Sequence, residues 1–312
     1  MRFYLLILLF CCASLQAGFV RVGQNWSHER YAPTLPVQEH YDLGIRYLAE
    51  ENWEAALNQF MIVKHHFQDS MFFSDSIYYI GVCYYSQGHL DLANKYLTQY
   101  LELNGNLKHF ENVFEHKYSI AEAYQEGKKR HLFGAIGLPR IMSGKKQVIE
   151  LYDEVIASLP SRDVAAKALL AKAMFLRKQK EFKESLDTLQ VLIRRFPKHE
   201  LAAEAFLKIG EIYLQQMQYE AQNPDFIALA QLNLQKFVKS FPGDDRRDTI
   251  AANIAAMQEV HAQSLFDTAR FYERIKRPKA ALIYYNDTIR RFPETESAQK
   301  SREKLNHLIP SQ

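Results

Sequence analysis

The side chains in this chain best suited to chemistry are its eleven histidines, since an imidazole can ligate a metal or move a proton near neutral pH. Their spacing serves neither task. His65 and His66 are adjacent, so on a helix their rings point in different directions, and His109 and His116 share a helical face but have no evident third ligand. No HExxH, CxxC, GxSxG or phosphate-loop pattern occurs. Asn25-Trp26-Ser27 and Asn286-Asp287-Thr288 match a glycosylation sequon formally, but the second falls inside an expected helix. The expectation is a protein that is not an enzyme and needs no cofactor or metal, with its histidines serving surface or packing.

The cysteines point to export. MRFYLLILLF puts one arginine before an apolar run too short to span a bilayer, and the small residues of CCASLQAG follow. Residues 1–17 are therefore expected to be a signal peptide. Two readings of its end stay open: cleavage after Ala13 or Ala17, or lipidation of Cys12 in a bacterial lipoprotein signal. Removal of this segment leaves Cys83 without an internal disulfide partner. Cys83 lies in YYIGVCYY and is expected to be a buried apolar side chain rather than a nucleophile.

Charge excludes some partners. Thirty-nine basic and 36 acidic residues leave a net charge of +3, too balanced to coat nucleic acid, so only local patches matter. One patch stands out. Lys128, Lys129, Arg130, Arg140, Lys145 and Lys146 flank the apolar LFGAIGL in an insert between two helical segments. It is either a solvated loop or a docking loop for anionic headgroups or an acidic partner face.

Helices must position all of these residues. Residues 18–37 contain two glycines and two prolines without helical period and read as a tether. From Gln38 to about residue 308 apolar residues recur at helical spacing and the segments come in pairs. Gly44, Tyr47, Ala56 and Phe60 return as Gly81, Tyr84, Ala93 and Leu97, and again as Ala173, Leu176, Ser185 and Leu189. Three further copies are interrupted or lengthened: Ala121 and Tyr124 with Val148 and Tyr152; Gly210 and Tyr213 with Ala230 and Leu234; Ala269 and Tyr272 with Ala281 and Tyr285. Second helices end in ASLP, RRFP, KSFP and RRFP, where proline stops the helix and basic residues suit its negative end. The arginine pairs thus read as caps rather than a binding site.

With a period of about 34 residues, these copies resemble tetratricopeptide repeats. The resemblance implies an all-α fold, a right-handed solenoid of about six helix pairs with a closing helix over Ser297 to Leu308. It also implies a groove lined by first-helix side chains, here Tyr41, Ile45 and Leu48, then Tyr78, Val82 and Tyr85. Tyr41, Leu48, Tyr78 and Tyr85 are the expected peptide-binding set; the competing reading is that neighbouring helices cover such positions, above all Ile45 and Val82.

The C-terminal half is more specific. From about Leu169 to Leu308, LQVLIRRFPKHELAAEAFLKIGEIYL, then ALAQLNLQKFVKSFPGDD, then the long AMQEVHAQSLFDTARFYERIKRPKAALIYYNDTIRRFPETESA resemble the BamD family of outer-membrane β-barrel assembly lipoproteins. The expected division is a signal over 1–17, a tether over 18–37, an N-terminal repeat half over 38–163 and a BamD-like half over 164–312. The resemblance implies an adaptor at the periplasmic face of the bacterial outer membrane, held there by lipid if Cys12 is modified. Its implied partners are the barrel-assembly protein, unfolded outer-membrane protein segments and the membrane, with no nucleic acid. The alternative is a periplasmic scaffold of the cell-division coordinator type, although residues 18–37 lack the heptads such proteins carry before their repeats.

Overall fold

A computed structural model describes residues 19–22, 25–28, 31–132 and 138–308. The signal segment and Cys12 lie outside the described residues. The chain is all-α in its repeats and divides into two compact units, residues 1–159 and 160–312.

The first unit opens with an antiparallel hairpin inside the segment expected to be a tether, β1 (Phe19–Val22) against β2 (Asn25–His28). Three helix pairs follow. They are α1 (Val37–Ala49) with α2 (Trp53–His66), α3 (Phe73–Ser86) with α4 (Leu90–Leu101), and α5 (Phe110–Gln125) with α6 (Lys145–Ser158). The third pair is interrupted by a short ribbon, β3 (Lys129–His131) antiparallel to β4 (Arg140–Ser143), with a bulge at Arg130/His131.

The second unit holds α7 (Asp163–Lys178) with α8 (Phe182–Arg195), α9 (Glu200–Tyr219) with α10 (Asp225–Ser240), and α11 (Arg246–Arg274) with α12 (Pro278–Arg291). The closing helix α13 (Glu296–Leu308) completes it. The expected long helix is α11, at 29 residues. The first four residues of the insert expected over 216–226 instead lengthen α9, which runs to Tyr219. No helix among the described residues is long and apolar enough to cross a membrane.

Small residues set the crossings. A Cβ on Gly44 would stand 2.7 Å from Phe60 Cε1, and one on Gly81 would stand 2.9 Å from Leu97 Cδ2, so the two glycines meet the partner helix at the same repeat offset. In the second unit Ala173 approaches α8 closely enough for its carbonyl to accept a 2.7 Å hydrogen bond from Ser185 Oγ, and Ala269 packs with Ala281 and Tyr285. Gly210 differs: its nearest neighbour would be Asn253 Nδ2 of α11, at 3.7 Å, with no crowding.

The turn between paired helices recurs as well. Glu51, Gly88, Lys180 and Lys276 all take positive φ there, a left-handed conformation that glycine adopts without strain and other residues at roughly 1–2 kcal/mol. At the far ends, Arg195 donates to the Pro160 carbonyl at 2.7 Å, while Arg290 and Arg291 both reach Asp287. The basic residues before the prolines thus lie in the last turns of α8, α10 and α12.

Candidate functional site

The predicted groove residues sit on the first helices of the N-terminal unit, within a continuous aromatic face. Tyr41 is half-buried and stacks on Phe72 with centroids 4.7 Å apart, and its hydroxyl donates to Asp75 Oδ2 at 3.4 Å. Burial, then the neighbouring Tyr79 and Asp75, raise its pKa, so the hydroxyl stays protonated. Tyr79 stacks on Phe60 at 5.2 Å.

Tyr78 is placed differently from a groove residue. It is 5% exposed, its ring lies parallel to His109 at 4.1 Å, and Tyr100 stands at 5.6 Å. Burial pushes its phenol up to about 12. Its neighbour two turns on, Tyr85, remains half-buried with its ring 5.1 Å from His116, which also stands 3.5 Å from the Tyr78 hydroxyl. Tyr78 and Tyr85 thus share a face, but α5 covers the Tyr78 end of it. Leu48 is half-buried on α1. Of the expected four, Tyr41, Leu48 and Tyr85 retain accessible surface.

Three members of this face were not legible from the repeat pattern. Asp75 lies 3.7 Å from His109 Nε2, a buried nitrogen without a hydrogen-bond partner among the described residues. His109 and His116 do share a face, as their spacing required, but they pack against tyrosines. Burial lowers the pKa of both. No group of three histidines, cysteines or carboxylates among the described residues is arranged to hold a metal. Cys83 is buried, and desolvation pushes its thiol up to about 12, which removes the thiolate that reactivity would need.

The basic insert is an anchored ribbon with exposed lysines. Asp91 of α4 fixes it: Oδ1 accepts from Arg130 Nε at 2.6 Å and from the Tyr124 hydroxyl at 2.9 Å, and Oδ2 accepts from the His131 backbone N–H at 2.9 Å. Partial burial disfavours the Arg130 charge, yet Asp91 outweighs it and holds the pKa above its ordinary value. His131 is buried and Nδ1 donates to the Leu138 carbonyl at 2.9 Å, leaving Nε2 to accept from Arg140 Nε at 3.0 Å. A second Arg140 nitrogen reaches His89 Nδ1 at 3.0 Å. Burial, then Arg140 and His131, lower the His89 pKa. Gly144 closes the ribbon onto α6, where a Cβ would come within 2.6 Å of the Tyr124 ring. Lys128, Lys129, Lys145 and Lys146 point away from this anchor and are exposed. Part of the central apolar segment, residues 133–137, lies outside the described residues.

In the second unit a groove of about 730 Å³ runs along α11 past Glu259, Gln263, Asp267 and Phe271. A smaller one, of 350 Å³, lies over Ile193, Phe206, Leu229 and Leu232 with Arg194 and Lys236 at its edge.

Residues 147–308 match the family YfiO, described as outer membrane lipoprotein, and residues 75–106 match a tetratricopeptide repeat. No curated protein matches the sequence. Among solved structures the chain is similar to MamA from Desulfovibrio magneticus RS-1, at 13% identity over 67% of this chain and 97% of that one, with a TM-score of 0.39. It is also similar to YrrB, titled a TPR protein with an unusual peptide-binding site, at 13% identity over 68% and 90%, TM-score 0.38. A third is the C-terminal part of a TPR repeat-containing protein from Cytophaga hutchinsonii, at 13% over 84% and 98%, TM-score 0.39.

Proposed function

This chain belongs to the YfiO family of outer membrane lipoproteins, and from that premise we propose that it is a periplasmic adaptor of the machinery that assembles β-barrel proteins in the outer membrane. It performs no reaction. It binds through helical faces already ordered by folding, so association bears little of the entropy that ordering a loop would cost. The C-terminal unit docks the barrel-assembly protein, and the aromatic face around Tyr41 and Tyr85 receives unfolded barrel segments. Lipid on Cys12 holds the adaptor at the periplasmic face.

The observation carrying this reading is the extent of the family match, from α6 through α13, including the long α11. The same stretch exposes Leu229, Leu232 and Val238 on α10, Phe271 and Ile275 around the end of α11, and Ile283 on α12, the last 68% exposed. Exposed apolar side chains of this kind are what a protein-binding surface offers a partner.

Co-purification of the tagged protein from detergent-solubilised outer membrane tests the reading. The expected result is a stable complex with a β-barrel assembly protein, weakened by Leu232→Asp or Ile283→Asp. Recovery of cell-division proteins in its place would overturn it. Mass spectrometry of the mature N-terminus tests the anchor, which an unmodified start at Ser14 or Gly18 would exclude.

A further inference from the structure

The geometry points to the β3–β4 ribbon as a docking surface for an anionic bilayer. Between Glu126 and Glu150 the chain has no Asp or Glu and six lysines and arginines, in a protein otherwise nearly balanced in charge. The structure sorts these cations by task. Arg130 bonds Asp91, and Arg140, itself exposed, bonds His131 and His89, so both hold the ribbon in place. Lys128, Lys129, Lys145 and Lys146 face solvent. Among the described residues no carboxylate pairs with Lys128, Lys129 or Lys145, and Lys146 has only a 3.8 Å contact to the exposed Glu150.

Two further features favour headgroups over water. Lys145 and Lys146 occupy the first turn of α6, which holds no acidic residue, so two cations sit where the helix dipole is already positive. That placement is unfavourable for the isolated protein and favourable beside a phosphate. Second, apolar side chains are exposed in and beside β4: Ile141 is 62% exposed, Met142 39% and Leu138, just before the strand, 38%. The register pairs Lys129 with Ser143 and Arg130 with Met142, so by strand alternation Ile141 lies on the Lys129–Ser143 face and Met142 on the Arg130 face. Apolar side chains among lysines on a rigid two-stranded support match an interface of acyl chains beneath anionic headgroups. Asp91 is engaged by Arg130, the His131 backbone and Tyr124, and Glu126 and Glu150 flank the insert in sequence.

Membership of an outer membrane lipoprotein family puts a bilayer within reach of this surface. The inference does not depend on the barrel-assembly reading. A lipid anchor tethers the chain without fixing its orientation; a second contact at the ribbon would fix it, and an acyl chain with a basic patch is one of the pairings that hold a protein to a membrane.

The test uses the full chain carrying Cys11→Ser and Cys12→Ser, so that no acyl group contributes. It is sedimented with vesicles of equimolar phosphatidylglycerol and phosphatidylcholine, and with phosphatidylcholine alone. Binding is expected only to the anionic vesicles and is expected to fall with added salt. Replacing the four exposed lysines with glutamine should weaken it by on the order of several hundredfold at low salt, at roughly fivefold per lysine. Ile141→Ser with Met142→Ser should weaken it while leaving the salt dependence intact. Circular dichroism should be unchanged throughout, because every substituted side chain is exposed. Equal binding to both vesicle types, or equal binding by the lysine variant, overturns the proposal. So does an absence of vesicle binding accompanied by lysine-dependent capture of an acidic protein. Complex formation with the barrel-assembly protein should survive the lysine changes, which keeps this test apart from the previous one.

Discussion

Lys117 Nζ lies 2.7 Å from Glu154 Oε2, with the lysine side chain wholly buried and the glutamate nearly half exposed. The same ammonium donates to Thr98 Oγ1 at 2.7 Å and Asn94 Oδ1 at 2.9 Å, so α4, α5 and α6 converge on one cation. Removing the cation strands two polar acceptors and opens a void, whereas neutralising Glu154 keeps an acceptor that water can reach. Lys117→Ala should therefore cost about 3 kcal/mol, Glu154→Gln about 1 kcal/mol, and Lys117→Met less than Lys117→Ala. Urea denaturation measures all three; equal losses for Lys117→Ala and Glu154→Gln would refute the asymmetry.

Gly81 and Gly210 occupy the same repeat position and should respond to alanine with opposite signs. At Gly81 the new methyl would stand 2.9 Å from the Leu97 side chain and 3.4 Å from its backbone nitrogen, so overpacking should lower stability by about 1–3 kcal/mol. At Gly210 the nearest atom is 3.7 Å away, ordinary contact, and the mid-helix position should gain about 0.5–1 kcal/mol from the lost glycine entropy. Melting temperatures of the two variants decide it.

Acid should destabilise this protein before its carboxylates titrate. His65, His89, His109, His116 and His261 all have pKa values lowered from 6.5, with burial the leading cause in each. The folded state therefore binds fewer protons than the unfolded chain just below pH 6.5. Stability contributed by the neutral imidazoles is present above 6.5 and is lost as pH falls through the lowered folded values. The urea midpoint should drop as pH falls below about 6.5, and His116→Gln should flatten that slope. A midpoint constant across the range would show that these rings titrate as they do in water.

The repeat frame was legible in the sequence because crossings are set by volume, and Gly44, Gly81, Ala173 and Ala269 mark them by being small. The long α11 was legible because nothing between Asp245 and Ile275 breaks a helix. The ribbon was not, since three- and four-residue strands carry too little alternation to register, and its anchors Asp91, Tyr124 and Gly144 are separated from it in sequence or look like ordinary repeat residues. The aromatic face was half legible. Seven-residue spacing placed Tyr78 and Tyr85 on one side of α3, but whether α5 would cover that side depends on His109 and His116, whose positions follow from packing and not from the repeat. Lys117 was hidden because a lysine in a helix reads as solvated until three partners from two other helices surround it.

That difference in cover separates the groove tyrosines experimentally. Tyr85 and Tyr41 keep accessible ring surface, so replacing both with Ser should weaken capture of an aromatic-ended barrel peptide by roughly tenfold or more, given about 1–2 kcal/mol for each contributing ring. The Tyr41 hydroxyl bond to Asp75 is long, at 3.4 Å, and both rings are only half-buried, so the fold should survive. Tyr78→Ser should do the reverse. Its ring fills the space between His109 and Tyr100, and truncation there should cost about 3–5 kcal/mol of stability as a large-to-small change in a core. Peptide titration by fluorescence anisotropy, read beside the urea midpoint of each variant, distinguishes the two roles. Unchanged peptide affinity in the folded Tyr41/Tyr85 variant would move the peptide site off this face; a stable Tyr78→Ser protein with lost affinity would mean that α5 opens to let peptide reach Tyr78.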